Sequence, residues 1–428
     1  MRPRLLLVVG ARGPGLGESL AGVGRRGDVV VAALAPVLAA RRDADLVADL
    51  TVITADTTDA LVAAVAQACT DRPVHGVVTL ADDTVALAAR VAARLGLRGL
   101  DPERVHVFRD KVAQRGALAA AGLTVPGWAD SEGGAAAVPL PVVVKPTGGS
   151  GGALAFVVSS ADQLEPVLRE CRQRTRDTDA VDDDTGFIVE QVIVGSRWHA
   201  TEGFAPYVSV ESAALDGQRW HLAVTDRFPL LPPVLETGMS LPSSLGADQQ
   251  EAVVAVTEQA LAALGLDQGL SHTELMLTAD GPVVIEVNAR AGGALPYLFP
   301  LAGGPDLASM AADLALGVPP ELPAFDGHAV FVALQHPLGV DVTAVDGLDR
   351  VRELSGVRAL IQLTGAGHST RSLQDTMAAL ALARVSDPEA AVALQRACYE
   401  AFDCRYAGGP TPDHYRRTPD GVVHADLA

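Results

Sequence analysis

The segment SHTELMLTADGPVVIEVNARAGG, residues 271–293, holds the most specific pattern in the chain. Two runs, His272–Thr278 and Val283–Asn288, flank Ala-Asp-Gly, which predicts an antiparallel hairpin. Side chains alternate faces along a strand, so Glu286 and Asn288 point the same way. The length of the turn then decides the chemistry. A two-residue Asp280-Gly281 turn pairs Glu274 with Val287 and directs Glu286 away; a three-residue turn, Ala279 to Gly281, sets Glu274 opposite Glu286, and Pro282 favours it. Opposed carboxylates repel unless a cation lies between them. A hard divalent ion answers this, and Glu274, Glu286 and Asn288 offer oxygen donors for one or two Mg2+ ions, with Mn2+ acceptable instead. The plainer alternative leaves Glu274 on a solvated face and pairs Glu286 with Arg290.

Upstream, PLPVVVKPTGGSGGALAFVV reads as a strand, Val142 to Lys145, a glycine-rich loop, Thr147 to Gly152, and a returning strand, Leu154 to Val158. No helix follows the loop, so it is not a P-loop. Gly148, Gly149, Gly151 and Gly152 allow backbone N–H groups to approach a polyphosphate, and Ser150 adds a hydroxyl. Only two of the 33 basic residues are lysines, Lys111 and Lys145. Where arginine serves as the general cation, a retained lysine suits a compact phosphate cradle.

Outward from this core, residues 1–105 alternate strands (Leu5–Val9, Val29–Ala33, Val74–Thr79) with helices (Thr57–Ala68, Asp83–Leu95), which predicts a doubly wound parallel sheet. Its first turn, Gly10 to Gly17, lacks the G-x-G-x-x-G spacing and reads as a tight strand-to-helix turn. The central segment, 106–318, predicts a helix from Asp110 to Ala121, a second from Asp162 to Arg174, strands at Phe187–Ile193, His199–Phe204 and Val208–Ala213, a Pro-rich stretch from Pro229 to Pro242, and a helix at Asp248–Leu264. The last segment, 319–428, predicts strands at Val330–Leu334 and Ala359–Leu363, a helix at Pro388–Ala401 and a loosely ordered tail after Ala407.

Composition narrows the class. With 428 residues, 49% of them apolar, the chain supports two or three globular domains. A net charge of -19 and a pI near 4.8 argue against nucleic-acid and anionic-membrane surfaces. Four scattered cysteines indicate neither zinc nor a disulfide framework, so a reducing cytoplasm is expected. The opening MRPRLLLVVGARG is too short for a membrane span and is read as a strand.

These motifs together resemble the ATP-grasp superfamily, in particular its carboxylate-amine ligases. Glu274 followed by Glu286-Val-Asn288-Ala-Arg290-Ala-Gly292-Gly293 is similar to the family's metal and substrate motif. FRDK with Lys111 and VVVKPTGGSGG with Lys145 resemble its two nucleotide lysines and phosphate loop, including Gly149, Ser150 and Gly151. FIVEQVIVG, with Glu190, Gln191 and Ile193, resembles the hinge that holds adenine. The resemblance spans roughly Phe108 to Pro305 and implies an α/β ATP-grasp fold with a preceding doubly wound domain and a C-terminal α+β closing region. It also implies ATP and Mg2+, an acyl phosphate formed from a carboxylate, and attack by an amine. Arg290, Gly292 and Gly293 are expected at the substrate and acyl phosphate, with Lys145, Arg290 and Gly293 in the catalytic role and His272 near the substrate. LETGMSLPSSL places Glu236 where such ligases hold an amino group, but Met239 stands where they have histidine. At the ribose place stands Arg197, with Glu202 or His199 as substitutes, and His368 and Arg371 fall in a tail that resembles the closing region. The expected partners are small-molecule carboxylate and amine substrates, with no nucleic acid or membrane and with room for a homodimer. Three alternatives remain: a bicarbonate-activating carboxylase, a non-catalytic ATP-binding regulator, and a nicotinamide dehydrogenase built on the first domain.

Overall fold

The run RLLLVV buries both of its faces. Leu5, Leu7 and Val9 pack with helix Leu16–Arg26, while Leu6 and Val8 pack with helices Thr58–Ala68 and Val85–Leu95. A strand covered on both sides needs no polar alternation, hence the continuous apolar run. In the computed structural model, which describes residues 2–11, 13–130, 134–149, 155–176, 186–232 and 234–407, this strand lies within a four-stranded parallel sheet. The order is Thr51–Ala55, Asp28–Leu34, Arg4–Val9, Gly76–Val78. The Gly10-to-Gly17 turn is a connection with two of its amides already engaged: Ala11 donates to Asp83 Oδ2 at 2.7 Å and Gly15 to the Tyr297 hydroxyl at 2.8 Å.

A second, antiparallel sheet orders Trp128–Asp130, Phe187–Gln191, Val142–Pro146 and Phe156–Val158, and helix Ala161–Arg176 covers it through Leu168 and Cys171. Ser150, Gly151, Gly152 and Leu154 lie outside the described residues, as do the acidic loop and the tail after Ala407.

The third sheet is antiparallel and eight-stranded: Gly281–Asn288, Gly269–Thr278, Tyr207–Leu215, Gln218–Arg227, Gly238–Leu241, His328–Gln335, Met377–Val385, Val357–Gln362. One sequence expectation fails here, and one strand was not foreseen. His199–Phe204 is not a strand; His199 is pinned in a loop by Asp226, 3.0 Å away. Gln218–Arg227 pairs with Tyr207–Leu215 as a hairpin joined through Asp216 (φ 50°) and Gly217 (φ 84°), a left-handed pair that Asp-Gly accommodates. The four-residue strand Gly238–Leu241, inside the Pro-rich segment, joins the two halves of the sheet, so His328–Gln335, Met377–Val385 and Val357–Gln362 continue it, while Asp341–Asp346 and Asp403–Ala407 form a separate antiparallel pair. One face packs on helix Ala247–Leu264 and, further along, on helix Pro388–Ala401. The other packs on Leu295, Leu298 and Phe299 of helix Leu295–Leu301, then opens into a cleft. Among the described residues no helix is long and apolar enough to cross a membrane.

Gly238 has φ +138°, and a Cβ placed on it would sit 2.0 Å from the Phe331 carbonyl oxygen. Gly238→Ala is expected to lose on the order of 2 kcal/mol or more in chemical denaturation. Gly116→Ala, on a helix position where a Cβ meets nothing within 4 Å, should gain about 0.4–1 kcal/mol. Equal midpoints for the two variants would refute the assigned pairing of Gly238–Leu241 with His328–Gln335.

Candidate active site

Glu274 and Glu286 are direct cross-strand partners, and His272 pairs with Asn288. The route to this register differs from the expected three-residue turn. Thr278 pairs with Gly281, which leaves a two-residue turn, and a bulge between Glu274 and Leu275 against Glu286 and Val284 restores the alignment by setting Ile285 out of the ladder. The carbonyls beside the bulge are taken by Arg115, whose Nη1 donates to Val284 O and Nη2 to Ile285 O, both at 2.9 Å. Gln114 donates to Val287 O at 2.9 Å and accepts from Val287 N at 2.8 Å, as a neighbouring strand would. Helix Lys111–Ala120 therefore closes the sheet edge. At its first residue, Lys111 Nζ lies 3.6 Å from Glu286 Oε2 and 3.1 Å from Gly149 O.

Arg115 has a third role. Its Nε lies 2.6 Å from Glu190 Oε1, and Lys145 Nζ lies 2.6 Å from Glu190 Oε2. Burial pushes the Glu190 carboxyl up, but Lys145 and Arg115 outweigh it and hold its pKa below the usual carboxylate range. Glu190, expected at the adenine, lines the cleft with both carboxylate oxygens against cations, one of them Lys145. Gln191, Val192 and Ile193 line the cleft just past it.

The opposite wall is also charged. Glu274 lies 3.4 Å from Arg227 Nη2 and 3.2 Å from His272 Nε2. Burial opposes its ionisation, yet Arg227, His272 and Arg290 hold its pKa well below normal. His272 is buried and its Nδ1 is in short contact with Glu211; burial disfavours the imidazolium, but Glu211 and Glu274 raise its pKa to about 9. The other Glu211 oxygen accepts the Gly292 N–H at 3.1 Å. That corrects the expectation for Gly292, whose amide is engaged inside the protein; Gly293 and Arg290 line the cleft, with Arg290 Nε 3.6 Å from Asp82.

Glu236 contacts Arg227 and lines the cleft, as does Met239. The three ribose candidates do not: Arg197 pairs with Glu202 at 2.8 Å and His199 with Asp226. His368 and Arg371 are likewise absent from its walls, and His368 Nε2 instead faces Asp375 O at 2.7 Å. Sequence reasoning missed Arg115, Asp82, Glu211 and Arg227. Of these, only Arg115 carried a local signal, one helical turn from Lys111. The cleft holds about 670 Å³, with Lys145 and Gln191 on one wall and Glu274, Glu286, Asn288 and Arg290 on the other.

Among the described residues no three acidic, histidine or cysteine side chains cluster at metal spacing. The donors on offer are thus two opposed carboxylates and one carboxamide, hard oxygens that fit a divalent ion also held by phosphate oxygens.

Removing Arg115 takes one of two cations from a buried carboxylate and strands two backbone carbonyls. Arg115→Met is expected to cost about 3–5 kcal/mol in denaturation, and Arg115→Met with Glu190→Gln should cost less than the sum of the single changes by about 0.5–3 kcal/mol. Because the Glu190 pKa is depressed, its stabilising contribution is complete at neutral pH and is lost as pH falls through that depressed value. Glu190→Gln should therefore flatten the acid limb of a melting-temperature profile; an unchanged limb would refute the ion-pair assignment.

A family profile described as ATP-grasp domain matches residues 138–296, and one described as ATP-grasp N-terminal domain matches residues 28–99. The uncharacterized protein y4rH of Sinorhizobium fredii is 30% identical over 324 residues, 71% of this chain and 62% of that protein. Alanine–anticapsin ligase of Bacillus subtilis is 27% identical over 221 residues, 49% of this chain and 47% of the ligase. The chain thus spans less than two thirds of either relative's length. The crystal structure of an L-amino acid ligase from Bacillus licheniformis superposes with a TM-score of 0.78 at 20% identity, covering 95% of this chain and 100% of that one. The two matches, in this order and on this shared fold, lead to one assignment: the chain carries the N-terminal and ATP-grasp domains of the ATP-grasp superfamily.

Proposed function

We propose that this chain uses ATP to join a carboxylic acid to an amine, releasing ADP and phosphate. The observation that carries the reading is the direct opposition of Glu274 and Glu286, with Asn288 beside them, in a cleft whose other wall presents Lys145. In a protein of net charge -19, a triphosphate needs local cations, and Lys145, Lys111 and Arg290 supply them. Lys145, paired with Glu190, would meet the phosphates, and Val192 and Ile193, which also line the cleft, would border the adenine. Bound Mg2+ on Glu274, Glu286 and Asn288 would draw charge from the phosphates.

Arg290 has the fork geometry to hold the acid's carboxylate in line with the γ-phosphate. A carboxylate oxygen attacks the γ-phosphorus and ADP departs; the amine nitrogen then attacks the acyl carbon, phosphate leaves with the C–O bonding pair, and the amine proton passes to solvent or a carboxylate. No side chain need form a covalent bond. Arg290 and Gly293 line the cleft, and in this reading they meet the negative charge that develops in both steps, where fixed donors are most effective.

With MgATP and pooled acids and amines, the wild type should release ADP and phosphate and yield a product mass equal to both substrates less one water. Glu286→Gln and Lys145→Ala should each lower turnover on the order of 100-fold or more. ATP binding without any substrate-dependent ADP would overturn the ligase reading.

A further inference from the structure

The turn that follows strand Gly76–Val78 of the parallel sheet carries Asp82 into the cleft. This turn is fixed from within: Thr79 Oγ1 and Thr84 Oγ1 are hydrogen-bonded, Ala81 N donates to Thr79 Oγ1 at 3.2 Å, and Thr84 Oγ1 donates to Ala81 O at 3.1 Å. The Asp82 side chain is 17% exposed, yet among the described residues its carboxylate accepts no hydrogen bond. Burial raises its pKa, Arg290 opposes the rise, and Glu286 adds to it. A mostly buried carboxylate held near another acid and given no donor is costly, so its presence on a rigid turn needs a reason.

Arg290, with its Nε 3.6 Å from Asp82 Oδ1, supplies that reason. Its other polar contact among the described residues is local, Nη1 donating to Ala291 O at 3.1 Å. Packing does little to fix the side chain. Arg290 borders the cleft and also a second cavity of about 70 Å³, walled by Val78, Thr79, Ala89, Gln268 and Ala311 among others. A long side chain between two open volumes keeps rotamer freedom, and that freedom has to be removed before its fork meets a ligand in one orientation. The guanidinium is planar and its donors leave in fixed directions, so turning the Nε edge toward Asp82 sets the direction of the rest.

Resting on the ligase reading, we propose that Asp82 is a positioning residue, which aims the Arg290 guanidinium at the substrate carboxylate and the acyl phosphate and ties that aim to the seating of the parallel sheet against the large one. Asp82 makes and breaks no bond and takes up no proton. The contact joins a turn of the first sheet to the residues just past strand Gly281–Asn288 of the large sheet, so the hairpin that carries Glu286 and Asn288 meets the first domain through this pair. Its effect belongs to the acyl phosphate end of the cleft, away from Lys145 and Gln191 on the opposite wall. Loss of Asp82 therefore acts on turnover and on binding of the acyl phosphate, and leaves the nucleotide alone.

The test uses Asp82→Asn, Asp82→Ala and Arg290→Lys, with Asp82→Asn also placed in the Arg290→Lys background. Calorimetry reads the affinity for MgADP and, in saturating MgADP, for acetonylphosphonate, an acyl phosphate skeleton with CH2 for the bridging oxygen. ADP release from MgATP with pooled acids and amines gives kcat and the KM for ATP. Both Asp82 variants should lower kcat and weaken acetonylphosphonate by about tenfold to a hundredfold, as loss of a group that orients a ligand-binding side chain does. MgADP affinity and the KM for ATP should stay within about twofold. In the Arg290→Lys background, which has no planar fork to aim, Asp82→Asn should cost no more than about twofold. A carboxylate that merely supports the fold would weaken nucleotide and mimic alike, or add its full cost to that of Arg290→Lys, and either result overturns the proposal. So do Asp82 variants that match the wild type. Should the mimic not bind, the kcat comparison alone decides. Asp82-dependent binding of the mimic with no ADP from any pair keeps the positioning role and overturns the ligase; ADP release that the Asp82 variants leave unchanged does the reverse. A wild type that neither binds the mimic nor releases ADP overturns both.

Discussion

Arg115 joins three parts of the molecule that must share one geometry. Its two terminal nitrogens close the bulge at Ile285, which sets the register of Glu286 against Glu274, and its Nε holds Glu190, which holds Lys145. A carboxylate pair on the large sheet and a lysine on the small sheet are thereby fixed to one planar group. Arginine suits the task because its five donors leave in fixed directions, so that satisfying one acceptor constrains the rest. A lysine in its place would satisfy Glu190 and leave the bulge carbonyls unmet.

The same economy governs charge across the cleft. The protein is strongly acidic as a whole, yet each acidic group at the site has a cation in contact: Glu190 with Lys145 and Arg115, Glu286 with Lys111, Glu274 with Arg227 and His272. His272 keeps its proton through neutral pH because Glu211 lies behind it, and Glu211 in turn fixes the Gly292 amide. The chain of contacts runs from the metal candidate Glu274 back to the loop that carries Arg290. Local pairing of this kind allows an acidic protein to present a site for polyanions without a basic surface.

Much of this was legible in the residues. Alternation and Asp-Gly gave the hairpin, and scarcity of lysine drew attention to Lys111 and Lys145. The pairing of Glu274 with Glu286 was foreseen for the wrong local reason, because a bulge is stabilised by its surroundings, here an arginine 170 residues away in sequence. Gln218–Arg227 was missed because Leu222, Ala223 and Val224 run together beside a bulge between His221 and Ala223, which breaks the simple alternation. His199–Phe204 looked extended in composition, but a buried contact with Asp226 holds it in a loop. Arg227 gave no local sign at all. Its importance comes from which strands flank it, and strand order is a property of the whole chain.

Strand order also explains how one cleft can have two chemical characters. The large sheet passes from its charged half to its apolar half across Gly238–Leu241, a strand of four residues. Were the two halves joined by a linker, the distance between the metal carboxylates and the Met239, Phe331 and Leu382 surface would vary with every interdomain motion. A hydrogen-bonded ladder instead fixes it in steps of roughly 4.8 Å per strand. Met239 lies in direct register with Arg227 on one side and Phe331 on the other, so the boundary between charge and hydrocarbon falls between adjacent strands. Left-handed Gly238 lets the chain enter that strand against the Phe331 carbonyl, where any side chain would collide. The strand within the Pro-rich segment is thus the element that joins the two ends of the cleft in one hydrogen-bonded sheet.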